Sequence, residues 1–281
     1  MVKNRKILIL GGEGFIGRNL SDVLSADFDC YSLDHRKSLF PGSKTHFLNI
    51  DPYNKRIKDH YDVVIVLIDN PVPLEEVEKT EQGILTNLDL ISPEQIIVFS
   101  SASTYVLPNS EYAKRKLLIE EIYKKYAKNR KVGLSILRLF NIFGPYQIPD
   151  RKGSLVANLF FKYYAKESVE INDFSAERDL IYSPDMAQCV KEVIRKKLFG
   201  TDDLATNEMT TIEELVVKIN QFIPDKIKII NKNIKEKETS PSASSHIVKR
   251  IKLTPMAQSL KKTADFYQEN WRIIKEKTGR C

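Results

Sequence analysis

The sequence predicts an α/β protein: a doubly wound parallel sheet with a smaller α/β lobe at its C-terminal side. Two observations carry that prediction. Short apolar runs alternate with helical stretches through the first half, and a glycine-rich loop follows the first run without a gap. The runs lie at residues 6–10, 29–33, 45–50, 63–68, 95–100 and 133–139, with helical stretches at 17–26, 74–89 and 111–128. Strands separated by helices make crossover connections, which place helices on both faces of a parallel sheet.

The first run, Lys6-Ile7-Leu8-Ile9-Leu10, reads as a buried parallel strand. It enters Gly11-Gly12-Glu13-Gly14-Phe15-Ile16-Gly17, which fits GxGxxG through Gly12, Gly14 and Gly17 and GxxGxxG through Gly11, Gly14 and Gly17. Helical spacing begins at once, in Arg18-Asn19-Leu20-Ser21-Asp22-Val23-Leu24. Strand, glycine turn and helix in that order form the pyrophosphate-binding unit of a Rossmann-type fold, where backbone amides at a helix N-terminus meet the phosphates. The second run ends in Asp34, twenty residues after Gly14, where a carboxylate can accept the hydroxyls of an adenosine ribose. That carboxylate favours NAD over NADP; His35, Arg36 and Lys37 directly behind it keep NADP open.

Ligands of such sheets bind at the carboxyl ends of the strands. Asp34, Ser100, Ser101 and the stretch Arg138 to Asn141 all fall at or just after predicted strand ends. Downstream of Ser101, Tyr112 and Lys116 are four apart in Glu111-Tyr112-Ala113-Lys114-Arg115-Lys116, so a helix projects both from one face. A neighbouring ammonium favours the phenolate over the phenol, which suits tyrosine to proton transfer. Ser101 could orient a substrate oxygen against that phenol. These positions divide the chain into a dinucleotide-binding domain over 1–150, which also receives 178–200, and a substrate-binding lobe over 151–281. In the second half a loop at 146–153 precedes a helix through Leu155, Leu159 and Tyr163, a strand–turn–strand around 169–181 and a helix at 212–222. A basic strand near 226–229, a loop at 239–245 and a last helix near 256–275 complete it.

Composition limits the alternatives. Among 281 residues, 42% are hydrophobic and 29% charged, the balance of a soluble globular chain. The longest aliphatic run, Val63 to Ile68, is far too short to span a bilayer, and Met1 to Leu10 lacks the features of a signal peptide. Cys30, Cys189 and Cys281 show no metal-ligand spacing, so reduced thiols in a cytoplasmic protein and no metal are expected. The net charge of +7 gathers in lysines at 226–237 and 249–252. No aromatic residues interleave with them, and Lys226, Ile227, Lys228 and Ile229 alternate as a strand with its lysines in water. Nucleic-acid binding is therefore not expected.

Taken together, these residues resemble the extended short-chain dehydrogenase/reductase family, in its NAD-dependent epimerase/dehydratase branch acting on nucleotide sugars. The resemblance rests on the glycine loop, Asp34, Phe99-Ser100-Ser101-Ala102-Ser103-Thr104-Tyr105, Tyr112 with Lys116, Leu137 to Pro145, and Glu177-Arg178-Asp179-Leu180-Ile181-Tyr182. It implies Ser101, Tyr112 and Lys116 as catalytic residues, with Lys116 also on the nicotinamide ribose. It implies cofactor contacts at Gly11, Gly14, Phe15, Ile16, Gly17, Asp34, Asn49 and Ile50, and substrate contacts at Asn141 and, as a diphosphate clamp, Arg178. The implied reaction is hydride transfer at a sugar carbon, most often C4, by an epimerase or by a 4-keto-sugar reductase. A homodimer pairing the Tyr112 helix with that at 74–89 is implied as well. Three departures stand out. Ser101 and Tyr112 are only eleven positions apart; Ala102 and Ser103 replace the Asp-Glu pair of the family's 4,6-dehydratases; and Asp69 follows the fourth strand where a small residue is expected. A carboxylate there repels a pyrophosphate unless it points away.

Overall fold

A computed structural model describes residues 5–149, 154–234 and 243–279; Cys281 and parts of the loops expected at 146–153 and 239–245 lie outside them. The chain runs β1 (Lys6–Leu10), α1 (Phe15–Leu24), β2 (Asp29–Leu33), β3 (His46–Leu48), β4 (Val63–Val66), and a 3-10 turn (Leu74–Glu76) into α2 (Val77–Ile91). Then come β5 (Gln95–Ser101), α3 (Ser103–Val106), α4 (Glu111–Arg130), β6 (Gly133–Leu139) and β7 (Asn141–Phe143). The second half holds α5 (Leu155–Tyr164), β8 (Val169–Ile171), β9 (Glu177–Tyr182), α6 (Ser183–Lys196), β10 (Gly200–Leu204), β11 (Met209–Thr211), α7 (Ile212–Ile219) and β12 (Ile229–Asn231). Two helices, α8 (Met256–Glu269) and α9 (Trp271–Thr278), follow.

Seven strands form the main sheet in the order β10-β6-β5-β4-β1-β2-β3, every pair parallel. The chain reverses direction across the sheet between β1 and β4, which creates the crevice where such folds bind ligands. Both faces are covered, and the period-two alternation of β1 shows how. Ile7 and Ile9 join Leu20 and Leu24 of α1 and Val190 and Val193 of α6 in one apolar cluster. Leu8 and Leu10 join Ile84 and Leu88 of α2 and Ile119 and Tyr123 of α4 in the other. A third cluster fills the second half around Phe160, Leu180, Leu215 and Tyr267, and Phe40 reaches into it from the β2–β3 connection.

The strand–turn–strand expected around 169–181 is present as β8 and β9, which do not pair with each other: β8 pairs with β12, whereas β9 lies between β11 and β7 in a separate three-stranded sheet. Other expectations are corrected. The last helix breaks at Asn270, whose side-chain amide donates to the Phe266 carbonyl at 2.9 Å, a local bond that competes with helix continuation. The basic strand lies later than its alternation suggests, since β12 covers Ile229–Asn231 and leaves 226–228 outside it, although Lys226 and Lys228 are exposed and Ile227 buried as expected. No described helix is long and apolar enough to cross a membrane.

Helix α4 is held by polar bonds as well as apolar ones. Glu120, fully buried, accepts the Ser100 hydroxyl at 2.7 Å and both arms of Arg138 at 2.9 and 2.7 Å. Arg138 is thus a structural partner of the β6 end. Burial raises the Glu120 carboxyl, but the bonds from Arg138 and Ser100 outweigh it and hold the group below the ordinary carboxylate value. A group depressed on folding stabilises at pH above its unfolded value and loses that contribution as pH falls through the folded one. Glu120→Ala is expected to cost about 2–4 kcal/mol in urea unfolding at neutral pH, because it strands Arg138 and Ser100. The gap to wild type should narrow below the carboxylate range.

Candidate active site

The glycine loop is shaped by three different demands. Gly11 has φ of +83°, a left-handed conformation that favours glycine, and its amide donates to the Leu33 carbonyl at 2.8 Å. A Cβ on Gly17 would stand 2.5 Å from the Gly12 backbone, and one on Gly12 would meet the Ser32 hydroxyl at 2.5 Å. Those two glycines let helix, turn and second strand touch. Gly14 differs: its nearest neighbour to an added Cβ is the Gly11 carbonyl at 3.6 Å, so the space above it is open. Gly14 is also the N-cap of α1 and offers no side chain to the first-turn amides, including those of Phe15 and Ile16. An open cradle at an uncapped helix N-terminus fits a pyrophosphate.

Glu13, which the motif treats as a spacer, is buried and accepts the Ser32 hydroxyl at 2.6 Å and the Ser38 amide at 2.8 Å. It ties the loop after β2 to the glycine turn. No sequence signal marked it. Asp34 stands at the end of β2 with its carboxylate 15% exposed, 3.0 Å from His35 Nδ1. The cations that kept NADP open are engaged elsewhere: Arg36 Nε donates to His35 at 2.9 Å and Lys37 lies 5.4 Å from the Phe47 ring centre. The Asp34 carboxylate at this strand end fits an unphosphorylated ribose. Asn49 is exposed and Ile50 half-buried just after β3.

The Ser110 hydroxyl caps α4 by accepting the Ala113 amide at 3.2 Å, and so fixes where the Tyr112 turn begins. The structure brings Tyr112 and Lys116 together: the ammonium lies 5.7 Å from the ring centre, and the Arg115 guanidinium lies 5.4 Å from it. Tyr112 is 42% exposed. Asp69 is explained: its carboxylate accepts Lys116 Nζ at 3.1 Å and Arg115 Nε at 3.2 Å. Burial raises that carboxyl, but Lys116 and Arg115 outweigh it and hold it below the ordinary value.

Ser101 closes β5. Its Oγ accepts the Ser103 amide at 3.2 Å and the Ser103 hydroxyl at 2.9 Å, which leaves its own proton to donate outward. Ser103 therefore orients Ser101, a role the sequence did not suggest. Ser101, Ser103, Leu107, Asn141 and Arg178 border a cavity of about 260 Å³. Asn141 and Arg178 also line a second cavity of about 770 Å³, with Lys162, Asn158 and Asn172 further along it. Asn141 is fixed by donating to the Asp179 carbonyl at 3.2 Å. The two cavities share these residues on β7 and β9, so a long polar ligand can run from Ser101 into the second half.

Gly14→Ala and Gly17→Ala separate ligand space from packing. Gly14→Ala should leave thermal unfolding within about 0.5 kcal/mol of wild type yet weaken NADH binding at least roughly tenfold, because its methyl enters the open cradle. Gly17→Ala should destabilise the fold itself, since backbone must move. Calorimetry and fluorescence titration read the two effects.

Comparison with known proteins falls on the same residues. The model of the NAD dependent epimerase/dehydratase family matches residues 92–203, the stretch with Ser101, Tyr112, Lys116, Asn141 and Arg178. A Methanocaldococcus jannaschii protein designated a UDP-glucose 4-epimerase is 25% identical over 74% of this chain and 79% of its own length. A GDP-6-deoxy-D-talose 4-dehydrogenase of Aggregatibacter actinomycetemcomitans is 23% identical, covering 83% of each. The solved UDP-N-acetylglucosamine 4-epimerase of Methanobrevibacter ruminantium M1 shares the fold with a TM-score of 0.81 at 18% identity, over 96% of this chain and 100% of that one. The matched segment, residues 92–203, is thus similar to the NAD dependent epimerase/dehydratase family, and the sheet that carries it has the fold of the solved epimerase.

Proposed function

We propose that the protein is an NAD-dependent epimerase acting at C4 of a nucleotide-activated sugar. One observation carries the reading: a half-exposed phenol, Tyr112, touches two cations at the carboxyl end of a dinucleotide-type sheet. NAD supplies the hydride acceptor and donor when bound, and the residues of the cradle described above would hold it. Tyr112, ionised, takes the proton of the sugar hydroxyl and returns it when the hydroxyl re-forms. Lys116 favours the ionised form by its charge and would reach the nicotinamide ribose. Ser101 donates to the reacting oxygen, with Ser103 setting its direction. Arg178 and Asn141, shared between the two cavities, would hold the diphosphate, a task suited to a planar and permanently charged fork.

The alternative within the family is a 4-keto-sugar reductase, favoured by the short Ser101–Tyr112 segment and the 56% exposed Leu107 within it. A dehydratase is disfavoured because Ala102 and Ser103 provide no acid and base for water elimination. We further read the protein as a cytoplasmic homodimer that pairs α2 and α4 across a two-fold axis. The buried free thiols Cys30 and Cys189 suit a reducing compartment.

Tyr112→Phe should lower turnover by about 10²–10⁴-fold on whichever of a UDP-, GDP-, CDP- or dTDP-sugar panel is converted, while circular dichroism stays that of wild type. Ser101→Ala should lower kcat in the same direction by a smaller factor. Tightly held NAD released on denaturation fits the epimerase. Steady consumption of NADH or NADPH on a keto-sugar selects the reductase, and full turnover by Tyr112→Phe removes both.

A further inference from the structure

Asp69 is a charged group of the site that the proposed reaction does not use. It follows β4 by three residues, after Leu67 and Ile68, and its carboxylate lies against α4 instead of water. On α4 the spacing of Tyr112, Arg115 and Lys116 at i, i+3 and i+4 puts the ring and both cations on one face. A single carboxylate holds both of those cations. Oδ1 accepts Arg115 Nε at 3.2 Å, and Oδ2 accepts the second Arg115 arm at 3.3 Å and Lys116 Nζ at 3.1 Å. The side chains are 21%, 14% and 8% exposed for Asp69, Arg115 and Lys116, so water screens the cluster only in part.

We propose that Asp69 is a positioning residue for the proton-transfer step: it fixes Lys116 and Arg115 against the Tyr112 ring and sets the net charge that the phenol faces. With Asp69 present, the two cations and one anion leave a net charge of about +1 beside the ring; with a neutral residue there the value is about +2. The proposal rests on the reading of Tyr112 as the proton carrier. Other titratable groups face the cluster from each neighbouring element. Glu81 of α2 is buried, bonded to the Tyr123 hydroxyl at 2.9 Å, and feels both Lys116 and Asp69. Tyr53, from the segment between β3 and β4, feels Glu81 and Asp69. Tyr123 lies farther along α4, Glu75 and Glu76 are exposed on the turn packed against α4, and Glu111 and Lys114 are exposed on α4 itself. The α3 segment brings no charge. Burial raises Glu81, so its charge is the most readily lost of the set. Asp69, held low by its two partners, is the constant anion across the working range.

A carboxylate here also limits how Lys116 serves a ribose. Two of the three ammonium protons remain for other acceptors while the third is committed to Asp69. The lysine therefore meets its ligand from a fixed direction and pays little side-chain entropy when it binds.

The test compares full-length wild type, Asp69→Asn and Asp69→Glu, each with and without Tyr112→Phe. Alkaline titration of phenolate absorbance, taken as the difference between each protein and its Tyr112→Phe partner, isolates the one ring. Asp69→Asn should move its ionisation midpoint to lower pH by about 0.5–1 unit, and Asp69→Glu should restore the wild-type midpoint. The acid limb of the turnover–pH profile should move the same way. An unmoved midpoint in a folded Asp69→Asn protein overturns the proposal. Should that variant not fold, Arg115→Gln removes one cation and leaves Asp69 on Lys116; its midpoint should rise, and no movement there overturns the proposal equally. The titration needs no substrate, so it stands apart from the failure of the enzymatic reading, which shows as turnover surviving Tyr112→Phe.

Discussion

The closest backbone approach in the site, between Gly12 and Gly17, is the constraint from which the rest follows. An added methyl at Gly17 would stand 2.5 Å from the Gly12 backbone, so α1 can start where it does only without a side chain there. That start points an uncapped set of amides at the carboxyl end of β1 and brings Leu20 and Leu24 down on the sheet. Binding surface and core packing come from one turn. The burial of both sheet faces then demands helices on each side, and the reversal of strand order places the crevice over that same turn.

Helix α4 answers a different demand. Its buried side mixes Ala113, Ile119 and Ala127 with Lys116, Glu120 and Tyr123, a stripe in which polar residues recur every three or four positions. Each polar member is matched from another element: Lys116 by Asp69 after β4, Glu120 by Arg138 of β6, Tyr123 by Glu81 of α2. Burying charge without such partners would cost several kcal/mol per group. With them, the helix is fixed in rotation and depth. Greasy packing alone tolerates small slips that these directional bonds do not.

Much of this was legible in the sequence, because the signals were local. The glycine turn, Asp34 and the four-residue spacing of Tyr112 and Lys116 are set by short-range geometry, and β1, β2 and β6 have the bounds that their apolar runs indicate. What the sequence hid depends on residues far apart in the chain. Asp69 looked anomalous because its partners lie 46 and 47 positions later, and Glu13 looked like a spacer because its carboxylate is consumed by Ser32 and Ser38. The strands at 169–171 and 177–182 invite a hairpin reading by proximity, yet each finds its partners in later or earlier segments. Asn270 splits the final helix through a side-chain bond that apolar periodicity does not register.

The loop after β2 carries one more implication. It begins at Asp34, is pinned in its middle by Glu13 to the Ser38 amide, and ends with Phe40 seated among Tyr146 and Phe266, with ring centres 5.5 and 5.1 Å away. The carboxyl end of β2 is thereby tethered to the aromatic cluster of the second half. Work done on one is felt by the other, and thermodynamic reciprocity makes the traffic two-way. A ligand that displaced the loop after β2 would therefore also disturb the aromatic packing around Phe40.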